Sequence, residues 1–326
     1  MLSERKTAYE RFKDDKDKLS SYGYKTEKQY KNEFEFLKEI ESTCLQQSRI
    51  DLNAAYSNFF RRVKNPKIKE KGFPKFKRKN ARNSFRVQCV NSNIKIDFKR
   101  KKVKLPKLGW IAYNDPRIIE KINVHSATVS RTTTDKYYIS ILYDVEIPEP
   151  RQLDLKAKNL KVKGLDMSLT NFFVDDEGNS PMYDRNYRKF EKKISGIQRK
   201  LSSETKKFKK NKLRKRLARI HEHIANKRHD FIEKLTHELI CENDVIVVET
   251  LSMKDIAKFR TWEERKDSND RSNHGKSVHD LGWGMFLNRL KTKAEENGTM
   301  IIEADKWFAS SKTCNHCGYA NKDLTV

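Results

Sequence analysis

The chain has 326 residues, with 71 lysines and arginines against 45 aspartates and glutamates, so its formal net charge is +26 and its pI is near 9.7. This excess of positive charge indicates a polyanionic partner, most often nucleic acid. A membrane surface is the competing polyanion, but no apolar run approaches the ~18 residues of a spanning helix, and the N-terminus lacks a signal-peptide core. We therefore expect a cytoplasmic protein without a membrane partner, and the length favours two or three domains.

The first part of the chain, residues 4–64, is predicted to be helical. Thr26 and Gln29 have the spacing of a capping box, which predicts a helix that begins there and continues to Ile40. Apolar residues at helical spacing predict a second helix over residues 45–62. We interpret most of the aromatic residues here as core rather than as base-stacking groups, so the segment is predicted to be a small helical domain.

Short β-type runs follow, separated by turns or basic links such as residues 99–102. The runs are residues 85–90, 94–98, 110–113, 124–131 and 137–145. Several short strands at close intervals predict a small barrel or sandwich. Aromatic residues alternate with basic ones before the first run, which suits a nucleic-acid-binding face, although a charge run is more often a solvated edge. Pro148 and Pro150 then mark a predicted domain boundary.

Two predicted strands end in an acidic residue. An apolar run ending at Asp166 is followed by a second apolar run and a turn at residues 175–178, which predicts a β-hairpin. Residues 245–248 form a β-branched run typical of a strand buried on both faces, and Glu249 follows. Side-by-side pairing would make these carboxylates converge, which favours a hard cation such as Mg2+ and the layout of two-metal phosphodiester chemistry. Acids at strand ends also often cap turns or face water, so the spacing leaves both interpretations open.

A long basic helical region lies between these strands. Residues 188–219 contain 15 lysines and arginines against two acids, and apolar residues recur at helical spacing beneath that charge. This pattern predicts an amphipathic helical hairpin with one face packed and the other available to phosphate. Residues 261–280 are polar and predict a mobile loop near Glu249. A helix over residues 283–296 and a strand over residues 300–303 are predicted next.

Five cysteines, an odd number, are mostly scattered, which argues against a disulfide framework. Only Cys314 and Cys317 have the spacing of metal ligands. A Cys-x-x-Cys pair followed by Gly318 is typical of half a zinc knuckle, whereas a redox pair would normally begin a helix after a strand. We favour half a zinc site, because nothing in the sequence supports a thioredoxin-like unit; tetrahedral Zn2+ needs four ligands, and this pair supplies two of them.

Taken together, these segments resemble the TnpB/OrfB family, transposon-encoded relatives of type V CRISPR effectors. The resemblance covers nearly the whole chain, with the family's motifs in the family's order. Asp166 and Glu249 lie in the stretches that resemble the first and second RuvC motifs. The matching stretches are residues 72–76, 105–110, 164–172, 247–251, 282–286 and 310–318.

The resemblance implies an α+β multidomain protein, in which an RNase H-like (RuvC) mixed sheet with flanking helices follows a helical segment and a small β-barrel. The domains would be a helical recognition segment at 1–65, a wedge-like barrel at 66–150, a nuclease domain at 160–308 and a partial zinc ribbon at 309–326. The implied activity is RNA-guided, Mg2+-dependent cleavage of DNA, linked to transposition and recombination. The implied partners are a guide RNA from the transposon end and both double-stranded and single-stranded DNA, with base pairing reading the target sequence.

The resemblance also assigns roles to residues. Asp166 and Glu249 are implied to be catalytic acids that bind two Mg2+ ions, and Cys314 and Cys317 to be ligands of a structural Zn2+. The residues expected to contact nucleic acid are Lys75, Lys77, Arg78, Arg131 and Lys312.

The family pattern continues with a second Cys-x-x-Cys and a third catalytic Asp that do not occur before Val326, and it usually opens with a strand ahead of the first helix. We therefore expect a chain shortened at both ends, in which cleavage is weakened or lost. The alternatives are a nuclease-deficient RNA-guided DNA-binding protein, an inactive transposon remnant, or a basic nucleic-acid-binding protein without a guide. The last of these leaves Asp166 and Glu249 unexplained.

Overall fold

The computed structural model describes the chain except residues 78–82, 118–121, 145, 147–148, 155, 158, 251–274, 306–312, 314–316 and 322–326, together with the side chains of 275 and 276. Its contacts divide the chain into two compact units, Met1–Glu146 and Ile147–Val326. The finer division into four domains stays a prediction. Among the described helices, none is both long enough and apolar enough to cross a membrane.

The first unit begins with helices, as predicted. Thr26 and Gln29 form the predicted capping box at the start of a helix. The prediction of one helix continuing to Ile40 is wrong, because the α-helix ends at Glu33, where Phe34 takes an extended conformation, and a 3-10 helix follows. The predicted second helix is confirmed. The helices are α1 (Leu2–Phe12), α2 (Lys16–Ser21), α3 (Glu27–Glu33), the 3-10 helix (Glu35–Glu39) and α4 (Ser42–Lys64).

Six strands complete the described part of the first unit, and five of them fall on the predicted runs. The sixth, β3, was missed, because it begins inside the predicted basic link at Lys102. The strands are β1 (Asn83–Gln88), β2 (Lys95–Asp97), β3 (Lys102–Leu105), β4 (Gly109–Ala112), β5 (Asn123–Arg131) and β6 (Tyr137–Asp144).

These strands form two antiparallel three-stranded sheets, in the orders β1-β5-β6 and β2-β3-β4. Side chains from both sheets and from the segment between β1 and β2 meet in one buried cluster, made of Val87, Ile94, Val103, Leu105 and Ala127. Within the described residues, no ladder of hydrogen bonds joins the two sheets into a closed one. The closed barrel therefore stays a prediction.

The second unit is built on one mixed four-stranded sheet in the order β10-β9-β7-β8. The hairpin predicted around Asp166 is confirmed as β7 paired antiparallel with β8, and β7 runs parallel to β9, which runs parallel to β10. The strand predicted to begin at Met300 is also confirmed. The strands are β7 (Val162–Ser168), β8 (Phe172–Asp175), β9 (Val245–Glu249) and β10 (Met300–Ala304).

Four described helices accompany this sheet. The predicted basic hairpin is confirmed as α5 and α6, which pack through buried isoleucines of both helices. The prediction of a loop over residues 261–280 is wrong for its last part, because α7 begins at Gly275; residues 261–274 lie outside the described residues. The helices are α5 (Asn186–Ser203), α6 (Lys207–Glu242), α7 (Gly275–Leu281) and α8 (Trp283–Asn297).

The core of the second unit lies between the sheet and helices α6, α7 and α8. Phe172, Phe286 and Leu290 are fully buried in it, and Trp283 is 2% exposed. The rings of Phe172 and Phe286 meet edge to face at 5.2 Å between centroids. The hairpin that carries Asp166 therefore rests directly on α8.

Candidate functional site

Asp166 lies on β7 between two core residues. Leu165 and Met167 are buried, and Asp166 between them is exposed. Because successive side chains of a strand point to opposite faces, anchoring Leu165 and Met167 in the core turns the carboxylate of Asp166 outward. The alternation of the sequence alone dictates this placement.

Glu249 is the last residue of β9, the strand beside β7. The parallel register pairs Leu165 with Val248, so the next residues along the two strands are Asp166 and Glu249. Neighbouring strands lie about 4.8 Å apart, so these two acids share one end of the sheet. The predicted convergence of the two carboxylates is thus present in the fold.

The electrostatics of the pair are unfavourable when both acids are ionised. Burial raises the pKa of Glu249 above its ordinary value, and the negative charge of Asp166 raises it further. Like charges at this separation disfavour joint ionisation unless a cation offsets them. Two converging carboxylates form a donor set that suits a hard divalent cation.

The other acidic residues of the hairpin interact with Lys163. The ammonium of Lys163 lies 3.5 Å from Asp175, 3.7 Å from Asp176 and 3.4 Å from Glu177. Asp176 also accepts a hydrogen bond from the backbone N–H of Gly164. These three acids therefore stabilise the turn after β8. Asp166 is then the acidic residue of this hairpin that lies beside Glu249.

Two contacts fix the short turn between β7 and β8. The guanidinium of Arg185 donates to the carbonyl oxygens of Leu169 and Thr170, and the indole N–H of Trp283 donates to the carbonyl oxygen of Phe172 at 2.9 Å. Neither the role of Arg185 nor the contact of Trp283 is predicted from the sequence. A lone arginine before a helix carries no signal of its partner, because the contact depends on the tertiary fold.

Three of the five residues predicted to contact nucleic acid lie within the described structure. Lys75 and Lys77 are exposed in the first unit. Arg131 is paired with Asp135 and lies over the ring of Tyr137. Arg78 and Lys312 lie outside the described residues. All five assignments stay predictions.

A basic sheet face in the first unit was not predicted as a site. The register of the β2-β3-β4 sheet places Lys95 beside Lys104 and Lys104 beside Trp110. Lys95 and Lys104 are exposed, and Trp110 is 50% exposed. Like charges directly opposite each other destabilise a sheet, and an exposed indole next to them can stack on a base, so this face is suited to a polyanion with aromatic bases.

The predicted zinc pair is only partly described. Cys317 is exposed, and Cys314 lies outside the described residues, so the pairing of the two thiols stays a prediction. Thr313 and Ala320 form an antiparallel bridge around this segment, and Gly318 has a φ of +70°. A left-handed glycine after the second cysteine is compatible with the tight turn of a zinc knuckle.

Two family models match this chain. Residues 140–260 match OrfB_IS605, described as "Probable transposase", and residues 283–326 match the Cas12f1-like TNB domain. The first match contains Asp166 and Glu249, and the second contains Cys314 and Cys317. Both acids and both cysteines thus lie within the matched segments.

Two curated relatives match most of the chain. "Putative RNA-guided DNA endonuclease InsQ" of Escherichia coli (strain K12) is 29% identical over 296 residues, which are 89% of this chain and 69% of the relative. "Putative RNA-guided DNA endonuclease" of Streptomyces pristinaespiralis is 26% identical over 306 residues, which are 92% of this chain and 69% of the relative. The chain therefore spans about two thirds of each relative's length.

A solved structure, "Cryo-EM structure of the Cas12f1-sgRNA-target DNA complex", matches with a TM-score of 0.46 and 14% identity, covering 82% of this chain and 62% of the other.

The fold and the paired acids define a basic, mixed α/β protein with a carboxylate pair at one end of its sheet. Within that class, residues 140–260 match the OrfB_IS605 family model, and the chain is similar to relatives named putative RNA-guided DNA endonucleases.

Proposed function

We propose that this protein is an RNA-guided, metal-dependent DNA endonuclease of a transposable element, and that its second unit has an RNase H-like (RuvC) fold. The observation that carries the proposal is the juxtaposition of Asp166 and Glu249 at the ends of two parallel strands. The names of the two curated relatives support the same activity.

Asp166 and Glu249 would hold Mg2+. The ion would supply Lewis-acid stabilisation of the phosphate and activation of a water nucleophile. Asp166 is exposed and can reach both an ion and a bound strand, whereas Glu249 is half-buried at the base of the site. Because Glu249 has a raised pKa, its ionisation and metal binding favour each other.

The remaining parts of the proposal concern partners and zinc. Guide RNA and target DNA would bind the exposed basic surfaces, with the Lys95–Lys104–Trp110 face and the predicted barrel in the first unit and the basic helices in the second. A structural Zn2+ would be held by Cys314 and Cys317 with two further ligands. The bridge of Thr313 with Ala320 supports a knuckle-like turn around that pair.

A second candidate function is RNA-guided DNA binding without cleavage, as in a nuclease-deficient protein or an inactive transposon remnant. One observation favours it: in the described part of the chain, no three His, Cys, Asp or Glu side chains cluster as metal ligands. Asp166 and Glu249 supply two negative charges, whereas two divalent metal ions bring four positive charges. Two carboxylates alone would therefore hold two ions weakly.

The test uses protein purified with RNA transcribed from the end of its transposon, together with DNA matching the guide. Asp166→Asn and Glu249→Gln should each lower the Mg2+-dependent cleavage rate on the order of 10²–10³-fold or more, while the dissociation constant for DNA stays nearly unchanged. Asp176→Asn is the matched control, since Asp176 lies in the same hairpin and is paired with Lys163. Unchanged cleavage in either acid variant would contradict the assignment, and guided binding without cleavage by the unsubstituted chain would support the second candidate.

A further inference from the structure

Arg185 connects α5 to the strand that carries Asp166. It lies directly before α5, and one of its guanidinium nitrogens donates to the carbonyl oxygens of both Leu169 and Thr170. These carbonyls belong to the turn that begins immediately after β7. The turn is further ordered by the hydroxyl of Ser168, which accepts from the backbone N–H groups of Thr170 and Asn171. Hydrogen bonds therefore order the short backbone segment between Asp166 and the two carbonyl groups that Arg185 contacts.

The end of the same turn is fixed by a different contact. Phe172 has a φ of +74°, in the left-handed region that a bulky residue rarely adopts, and its ring is fully buried. The indole of Trp283 holds the carbonyl oxygen of Phe172. Trp283 thus contacts the β8 end of the turn, whereas Arg185 contacts the residues that follow the β7 end, next to Ser168.

The segment that carries Arg185 is itself well anchored. The backbone N–H of Tyr187 donates to the carboxylate of Asp280 at 3.0 Å, and Arg188 donates to the hydroxyl of Ser277 at 2.7 Å. Asp280 is 2% exposed. The first turn of α5 is therefore held to α7 by these hydrogen bonds. Arg185, directly before α5, thus contacts the β7–β8 turn from an ordered segment.

We propose that Arg185 is a positioning residue, which holds the β7 end of the turn so that the carboxylate of Asp166 stays aligned with Glu249. This inference rests on the proposed metal-binding role of the two acids. Metal ligands must be held to within about 0.5 Å of the productive geometry, and groups that orient ligands change metal affinity by about 10–100-fold. Arg185 contacts the backbone beside the ligand and not the metal.

The sign of the effect separates position from charge. Removing a positive charge near a cation site should by itself strengthen cation binding. If Arg185 positions Asp166, its removal should instead weaken binding. Lys189 provides the matched control, because it is a basic residue of the same helical turn, is exposed, and pairs with Asp184 rather than with the hairpin.

The experiment measures binding of Mn2+ alone by electron paramagnetic resonance, with no nucleic acid present. Arg185→Ala should weaken Mn2+ binding about 10-fold, Arg185→Lys should lose less because its ammonium can still reach one carbonyl, and Lys189→Ala should keep or slightly strengthen binding. Hydrogen exchange of the amides of residues 168–172 should quicken in Arg185→Ala alone. Arg185→Lys remains informative if Arg185→Ala does not fold.

The outcomes distinguish this inference from the proposed function. If Asp166→Asn leaves Mn2+ binding unchanged, the metal site is misassigned and the inference falls with it. If Asp166→Asn abolishes binding while both Arg185 variants bind like Lys189→Ala, the metal site stands and the positioning role of Arg185 is overturned.

Discussion

Glu249 is the residue whose titration the site perturbs most clearly. Burial and the charge of Asp166 raise its pKa from an ordinary 4.5. A carboxyl whose pKa is higher in the folded state stabilises the fold fully below its unfolded pKa, and that contribution is lost as the pH rises through the folded-state pKa. At neutral pH, the metal-free protein therefore carries a carboxylate that opposes folding.

We expect Glu249→Gln to raise the melting temperature of the metal-free protein near pH 7, with the difference shrinking toward pH 4. Calorimetry in a chelator at both pH values measures this, and Glu238→Gln, which alters an exposed acid on α6, is the control. Added Mg2+ should reverse the order of the two melting temperatures, since the protein with both carboxylates should bind the ion more tightly than the variant that keeps Asp166 alone. Equal stability at pH 7 without metal would show that Glu249 is not strained by its neighbour.

Individual residues of the site differ in how well the sequence predicts them. Asp166 and Glu249 could be predicted, because each directly follows an apolar residue of a strand and the strands have a strong local pattern. Arg185 and Trp283 could not, because their partners are carbonyl oxygens chosen by the tertiary fold. Trp283 and Phe172 are 111 positions apart in the chain, so no local pattern links them.

At the scale of elements, the junction of α7 and α8 depends on one glycine. Gly282 has a φ of +73°, and a Cβ there would lie 2.8 Å from Cδ of Arg228. The Nε of Arg228 donates to the carbonyl oxygen of Asp280 at 3.0 Å, so displacing Arg228 would also disturb the anchor of α5. Both the left-handed backbone conformation and this close approach should make a side chain at position 282 destabilising.

We expect Gly282→Ala to destabilise the protein by about 1–3 kcal/mol in urea unfolding. Gly284→Ala, two residues later, is the matched control. Nothing lies within 4 Å of its added methyl group, and alanine favours the helix, so it should be neutral or stabilising by up to about 1 kcal/mol. Equal effects of the two substitutions would contradict the importance of the junction.

Elements with strong local signals were predicted best. The capping box of α3, the basic hairpin and the strands around both acids follow from short-range patterns. The missed β3 alternates lysine with apolar residues, a period-two pattern masked by its neighbouring charges. The sequence of α7 begins with polar residues, so the local pattern does not predict a helix there. The helix packs on the core through its last residue, Leu281, which is 1% exposed.

At the scale of the whole molecule, the net charge of +26 should govern binding. If the protein neutralises about 6–10 phosphates, its affinity for DNA should fall roughly 10³–10⁵-fold between about 50 and 200 mM salt. Filter binding measures this slope. Lys104→Ala should reduce the slope of log affinity against log salt concentration by about 1, which corresponds to one lost phosphate contact. Lys18→Ala, which removes a lysine paired with Asp15, should change that slope little. A flat salt profile would contradict the nucleic-acid partner altogether.

The parallel pairing of β7 with β9 also sets an order of events during synthesis. Lys161 and Asp244, which are hydrogen-bonded where these strands begin, are 83 positions apart. At about 5–20 residues per second, a ribosome adds that length in on the order of 4–17 s, during which β7 lacks its central neighbour. The basic hairpin of α5 and α6 is local and can form in that interval. A nascent chain released within α6 would therefore carry the basic helices without Glu249, so it could hold nucleic acid before any carboxylate pair existed to cut it.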